Sequence, residues 1–221
     1  MYLIYNFTSE DTGEIAEDRN VKVLTAMVVP AVQWPAFKQI ANQIQRNTEN
    51  NTFEESVAST VSFLRESRDV RLVNVAAKVG KRRNDEIELK LWKTAIQRVE
   101  NTLSYENFPG RISPTSYGII ASTERTYPMA QRVLSEMREN NTIPNSREFY
   151  SDGSRQMNIE RIIDTVLEPE DSTAGLAFIG KMVSSFVGKY IVESSEDELE
   201  ALSPSLLTVA NRNNKFGIVT I

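Results

Sequence analysis

Apolar positions along this chain recur at two spacings, and the changes from one to the other mark out its elements. Tyr2 to Thr8 sets aromatic and aliphatic residues in near-alternation. Val21 to Val29 (VKVLTAMVV) is a second apolar run, ended by Pro30, so the two read as neighbouring antiparallel strands joined through a polar connection. The period then becomes helical. Pro35 suits a first turn, and Phe37, Ile40, Ala41 and Ile44 make one buried stripe. Asn47 to Asn51 breaks that helix. Thr52, with Glu55 three residues later, predicts a capping box for the next one, whose apolar positions are Val57, Val61 and Leu64. Val70 to Val79 has strand composition. Asn84 or Asp85 then opens a long helix carrying Ile87, Leu91, Ala95, Ile96, Val99 and Leu103. Tyr117 to Ala121 is a short strand, and a helix from about Pro128 to Glu139 turns Met129, Val133, Leu134 and Met137 inward.

The strongest signal lies at Arg161 to Ile191. Ile162, Ile163, Val166 and Leu167 form a short apolar run that suits a buried strand. An acidic turn follows, and a helix begins near Ser172 or Thr173. Leu176, Ile179, Val183, Phe186, Val187 and Ile191 share its inner face, which Phe178 and Met182 widen. Only Lys181, Ser185, Lys189 and Glu193 make a polar stripe, so this helix is expected inside the domain, against a sheet. Glu193 to Ala201 reads as an acidic helical segment. Leu206 to Ala210 and Phe216 to Ile221, flanking Asn211 to Asn214, predict a terminal hairpin. Ile143 to Asn158, rich in polar residues, reads as an exposed loop. The element order predicts a mixed α/β fold with helices for both sheet faces.

A chain of 221 residues is long enough for one substantial core. Its net charge of −5 counts against a surface built to embrace phosphate backbones. The sequence contains neither cysteine nor histidine. That excludes thiolate nucleophiles, a Ser-His-Asp triad and imidazole ligation, and leaves carboxylates, lysine, hydroxyls and backbone groups for any chemistry. No cofactor is expected, although carboxylates alone can hold Mg²⁺ or Mn²⁺. The N-terminal stretch lacks a basic region and its apolar run is short, which makes a cytoplasmic location the expectation.

Several motifs reduce to ordinary structure. Gly175 to Lys181 fits G-x-x-x-x-G-K, but the residues between are bulky and Met182 replaces the hydroxyl that would hold Mg²⁺, so it reads as core helix. Lys78, Lys81, Arg82 and Arg83 precede Asp85, Glu86 and Glu88 and read as a solvated loop. Glu193 to Glu200 reads as an exposed, dipole-favoured helix start.

The chain resembles the bacterial and phage family known as domain of unknown function three thousand eight hundred, whose fold is similar to ribonuclease H. That family opens with a strand of the form Y-I-D-E-S-G and a second strand ending near Pro and Trp. Here Tyr5 to Glu10 is followed by Val28-Val29-Pro30 and Trp34. Its late strand, Ser and helix G-L-Q-L-A-D correspond to Ile162-Ile163-Asp164, Ser172 and Gly175 to Gly180. The resemblance implies a ribonuclease H-like domain over residues 1–192, with residues 193–221 added as a helix and hairpin packed on it. It also places the family's acidic positions on Phe7, Thr8, a residue near Ala121 or Ser122, and Gly180, none of which is acidic. No metal site is therefore expected, with Glu10, Asp11, Glu124 and Asp171 as fallback carboxylates. Three functions follow: a catalytically degenerate, phage-encoded protein that binds a protein partner; a metal-dependent nuclease using displaced carboxylates; or a non-catalytic nucleic-acid-binding module. The terminal hairpin has two readings, self-association or partner binding through a new strand edge, and simple cover for the domain's own sheet.

Overall fold

Strand β1 (Tyr2–Thr8) pairs antiparallel with β2 (Val21–Pro30), with Tyr2 opposite Pro30 and Phe7 opposite Thr25, as the two neighbouring apolar runs predict. The computed structural model describes residues 1–9, 21–48, 51–67, 69–78, 84–103, 116–140, 159–206 and 216–221. Helices α1 (Trp34–Asn47) and α2 (Phe53–Glu66) follow β2. The predicted capping box starts α2: Thr52 Oγ1 accepts the Glu55 N–H at 3.3 Å, and a Glu55 carboxylate oxygen accepts the Thr52 N–H at 2.8 Å. Strand β3 (Arg71–Lys78) pairs antiparallel with β2. Then come α3 (Asn84–Leu103), β4 (Gly118–Ser122), α4 (Tyr127–Asn140), β5 (Ile162–Leu167), α5 (Glu170–Glu193), α6 (Asp197–Leu202) and β6 (Val219–Thr220).

The strands make one mixed sheet in the order β5-β4-β1-β2-β3-β6. Strand β4 is parallel to both β1 and β5, and β6 is parallel to β3. Side-chain alternation sorts the core into two layers. Tyr5, Phe7, Met27, Leu72 and Ala121 pack with α1, α5 and α6 on one face, whereas Ile4, Leu24, Val73 and Ile120 pack with α3 and α4 on the other. Leu199 and Leu202 bring α6 into the first layer.

Four expectations are corrected. Strand β5 is a sheet edge, not a buried strand: Ile163, Val166 and Leu167 are 42, 40 and 52% exposed, because only β4 flanks it and a register irregularity lies at its start. The apolar run looked buried because hydrophobicity alone does not distinguish an edge from a centre. Helix α5 starts at Glu170, two residues earlier than expected, with Pro169 at its N-cap. Ile40 on α1 is exposed, and Trp34 takes an inward place on that helix. Finally, Leu206 and Val219 both pair parallel with β3, so they run in the same direction and do not form an antiparallel hairpin with each other. These C-terminal segments cover the β3 edge. The connection holding Glu10 and Asp11, the loop at Lys81, Arg82 and Arg83, the loop Ile143 to Asn158, and the turn at Asn211 to Asn214 lie outside the described residues.

Entry into β5 is fixed by one buried carboxylate. Glu100, on α3 and 3% exposed, accepts the N–H groups of Glu160, Arg161 and Ile162 at 3.0, 2.7 and 2.9 Å. Burial pushes this carboxyl above the ordinary glutamate value, although the three N–H bonds and the Arg161 charge oppose the shift. Glu100→Gln keeps the shape but offers one acceptor oxygen and turns an NH₂ donor toward the remaining N–H groups. We expect it to lower stability by about 1–3 kcal/mol. It should also speed amide exchange at residues 160–162, read by hydrogen–deuterium exchange. Unchanged exchange there would remove Glu100 as the anchor of β5.

Candidate functional site

Helix α5 crosses the sheet, and two of the resemblance-derived positions, Phe7 and Gly180, meet beneath it. A methyl group placed on Gly180 would stand 2.6 Å from both Cβ and Cγ of Phe7, so only glycine lets helix and ring approach this closely. Phe7, Thr25 and Asn74 are cross-strand neighbours in one row across β1, β2 and β3. One turn beyond Gly180, the Ser184 hydroxyl lies 3.0 Å from Thr25 Oγ1, which donates to Asn74 Oδ1 at 2.8 Å. The row is therefore apolar at β1 and polar at β2 and β3. At Gly188, a further turn along, a methyl group would meet nothing within 4 Å.

The other resemblance-derived positions separate. Thr8 lies next to Phe7 on the strand and points to the α3/α4 face. Ser122, two residues after Ile120, points there too; Ala121 shares the face of Phe7. Of the alternatives for the middle strand, Ala121 is thus the one on the α5 side. Neither Ala121 nor Phe7 nor Gly180 can ligate a cation. Glu124 and Asp171 are exposed, and among the described residues no three acidic side chains are grouped so as to hold a metal ion. The G-x-x-x-x-G-K match is continuous helix within α5, with Gly175, Leu176, Ile179 and Gly180 buried. Its backbone N–H groups are used along the helix and do not form a phosphate cradle. Helix α5 is long and apolar enough to cross a membrane by length and composition, but here it packs on α1 and three strands.

A polar cluster without a sequence signature lies at the start of α5. Glu168, just past β5, accepts hydrogen bonds from Trp34 Nε1 at 3.1 Å, Lys38 Nζ at 2.6 Å and Ser172 Oγ at 3.3 Å. Lys38 Nζ also sits 5.6 Å from the centroid of the Trp34 ring, within cation–π range. Residues 130 and more positions apart in the chain meet here, so no local spacing announces it. Burial alone would raise the Glu168 carboxyl; hydrogen bonds from Lys38 and Trp34, the Lys38 charge and the Ser172 hydroxyl outweigh it and hold the group below the ordinary glutamate value. Chemically the cluster is a clamp between α1 and the β5–α5 corner, with its carboxylate already saturated by donors.

The sign of its pH effect follows. A carboxyl lowered in the folded state contributes stability that is present above the unfolded value, near 4.5, and lost as pH falls through the folded one. The thermal midpoint should drop on acidification below about pH 4.5. Glu168→Gln should flatten part of that drop while lowering the midpoint at neutral pH. Parallel pH profiles for the two proteins would mean the clamp carries no titrating stability.

Comparison with protein-family models, with curated proteins and with solved structures finds no match to this chain.

Proposed function

We propose that this chain is a catalytically degenerate ribonuclease H-like protein, phage-encoded and acting in the host cytoplasm by binding a protein partner. Its sheet supports the fold assignment: an antiparallel β1-β2-β3 meander is extended beyond β1 by parallel β4 and β5, with helices on both faces, as that fold requires. The observation that carries the degenerate reading is the Phe7 ring packed against Gly180. Two acidic side chains belong at those positions in a metal-dependent site of this kind, and an aromatic ring against a glycine excludes both water and ion.

Partner binding draws support from β5. Its Ile163, Val166 and Leu167 are exposed together on one short edge strand. The carbonyls of Ile162 and Ile163 already accept from Arg138 at 2.8 Å, and the Thr165 N–H donates to Asp164 Oδ1 at 2.7 Å. With these three backbone groups of β5 already engaged, a partner here would be held chiefly by side chains. The C-terminal route to self-association is less favoured, because Leu206, Val219 and Thr220 cover the β3 edge.

The test is direct. Calorimetric titration of the full chain with Mg²⁺ and Mn²⁺ should give no stoichiometric isotherm, and a labelled oligonucleotide should stay intact with Mn²⁺. Sub-millimolar binding together with cleavage would replace this reading by a nuclease with displaced carboxylates, drawn from Glu10, Asp11, Glu124 and Asp171.

A further inference from the structure

Several buried polar atoms without a hydrogen-bond partner lie in the layer between the sheet and α3/α4. Among the described residues, Nδ2 and Oδ1 of Asn6, Oγ of Ser122, Oγ1 of Thr165 and Nε1 of Trp92 are of this kind in that layer; Thr60 Oγ1 on α2 and Asn74 Nδ2 on the α5 side of β3 lie elsewhere. Two of these residues are neighbours. Tyr5 and Ala121 are paired in register on parallel β1 and β4, so Asn6 and Ser122, the next residues, stand side by side at about the 4.8 Å strand spacing. Both turn to the α3/α4 face, two positions beyond Ile4 and Ile120, which lie in that layer. Asn6 is 4% exposed and Ser122 1%. The amide and the hydroxyl do not bond to each other. Thr165, level with Ile120 on β5, faces the same layer, and Trp92 enters it from α3.

Chain connectivity adds a second reason to look here. From β1 the chain proceeds to β2 on one side, and from β4 to β5 on the other. The carboxyl ends of β1 and β4 therefore flank a topological switch point, where open sheets leave a crevice. Asn6 and Ser122 sit at that end. A buried carboxamide with neither donor nor acceptor satisfied is rare in folded proteins, and internal water is the usual means of satisfying one. A water needs two to four polar partners, and the Asn6 amide and Ser122 hydroxyl supply that number side by side.

We propose that Asn6 and Ser122 form an internal hydration site at the β1–β4 switch point, holding at least one water that bridges amide and hydroxyl. The ligand is a neutral molecule of water size that both donates and accepts. The sheet is thereby wet on one face of β1 and dry on the other, since Phe7, the next residue, packs against Gly180. Asn6 thus serves β1 as a hydrated link to β4.

The test uses the full chain. A crystal structure at a resolution that places solvent should show a water within hydrogen-bonding distance of both Asn6 and Ser122. Asn6→Leu, Ser122→Ala and the double variant then form a cycle read by thermal melting. Each single change should lower the midpoint by about 2–4 °C, with the double losing less than the sum because both remove the same bridge. Three results would overturn the proposal: an amide bonded directly to the hydroxyl with no water, density larger than water at the site, or an Asn6→Leu protein that melts at or above wild type. If Asn6→Leu does not fold, Ser122→Ala and the wild-type solvent structure still decide.

Discussion

Gly175→Ala is expected to destabilise the protein by about 3 kcal/mol, whereas Gly188→Ala on the same helix should stabilise it by about 1 kcal/mol. Both replace a helical glycine, so backbone propensity favours alanine equally in each. Surroundings decide the sign. A methyl group at Gly175 would overlap the backbone of Ala41 and Asn42 on α1, and a backbone cannot swing aside as a side-chain tip can. The crossing is also tied by polar contacts. Asn42 Oδ1 accepts the Gly175 N–H at 2.7 Å, and Asn42 Nδ2 donates to the Ser172 carbonyl at 3.3 Å. Forcing the helices apart strains both bonds and opens the packing of Trp34, Phe37 and Ala41 over α5. At Gly188 a methyl group meets nothing within 4 Å, so alanine brings its better helix propensity without displacing any neighbour. Urea unfolding midpoints of the two variants measure the contrast. A Gly175→Ala protein as stable as wild type would mean that α1 and α5 cross more loosely than described.

Where local chemistry and period-two or period-3.6 patterning govern, the fold was legible. The β1–β2 pair, the Thr52–Glu55 capping box and the inward face of α3 depend on residues a few positions apart. Gly180 was informative for a similar reason: a glycine in a strongly apolar helix costs stability unless something approaches closely, and Phe7 does. Edge against centre was not legible, because Ile163, Val166 and Leu167 carry the composition of either. The direction of the C-terminal segments was not legible either. Apolar runs separated by Asn211 to Asn214 suggest a hairpin, yet β3 offered its free edge to both Leu206 and Val219. The Glu168 clamp and the Glu100 anchor join residues separated by 130 and about 60 positions, and only tertiary structure brings such partners together. In the candidate site, strand alternation turns Thr8 and Ser122 away from Phe7, which the alignment of motif letters alone did not register.

Gly180→Asp should lower stability by a few kcal/mol and confer no nuclease activity. Two costs combine. The new Cβ alone would lie 2.6 Å from Phe7, so ring or helix must move. The carboxylate beyond it enters the apolar layer that holds Phe7, Ile179, Val183 and Met27. Gly180→Ala carries the first cost without the second, and should fall between wild type and the Asp variant. The pH dependence separates the terms further. Burial raises the pKa of the introduced Asp in the folded state, so its charge penalty is absent below the unfolded value and grows as pH rises toward the folded one. Acidification should therefore narrow the gap between Gly180→Asp and Gly180→Ala, while steric strain leaves it unchanged. Unfolding midpoints at several pH values, with cleavage of a labelled oligonucleotide in Mn²⁺, test both parts. A Gly180→Asp protein as stable as wild type would place residue 180 against solvent. One that cleaved the oligonucleotide would show that a single carboxylate restores a site which Phe7 was thought to close.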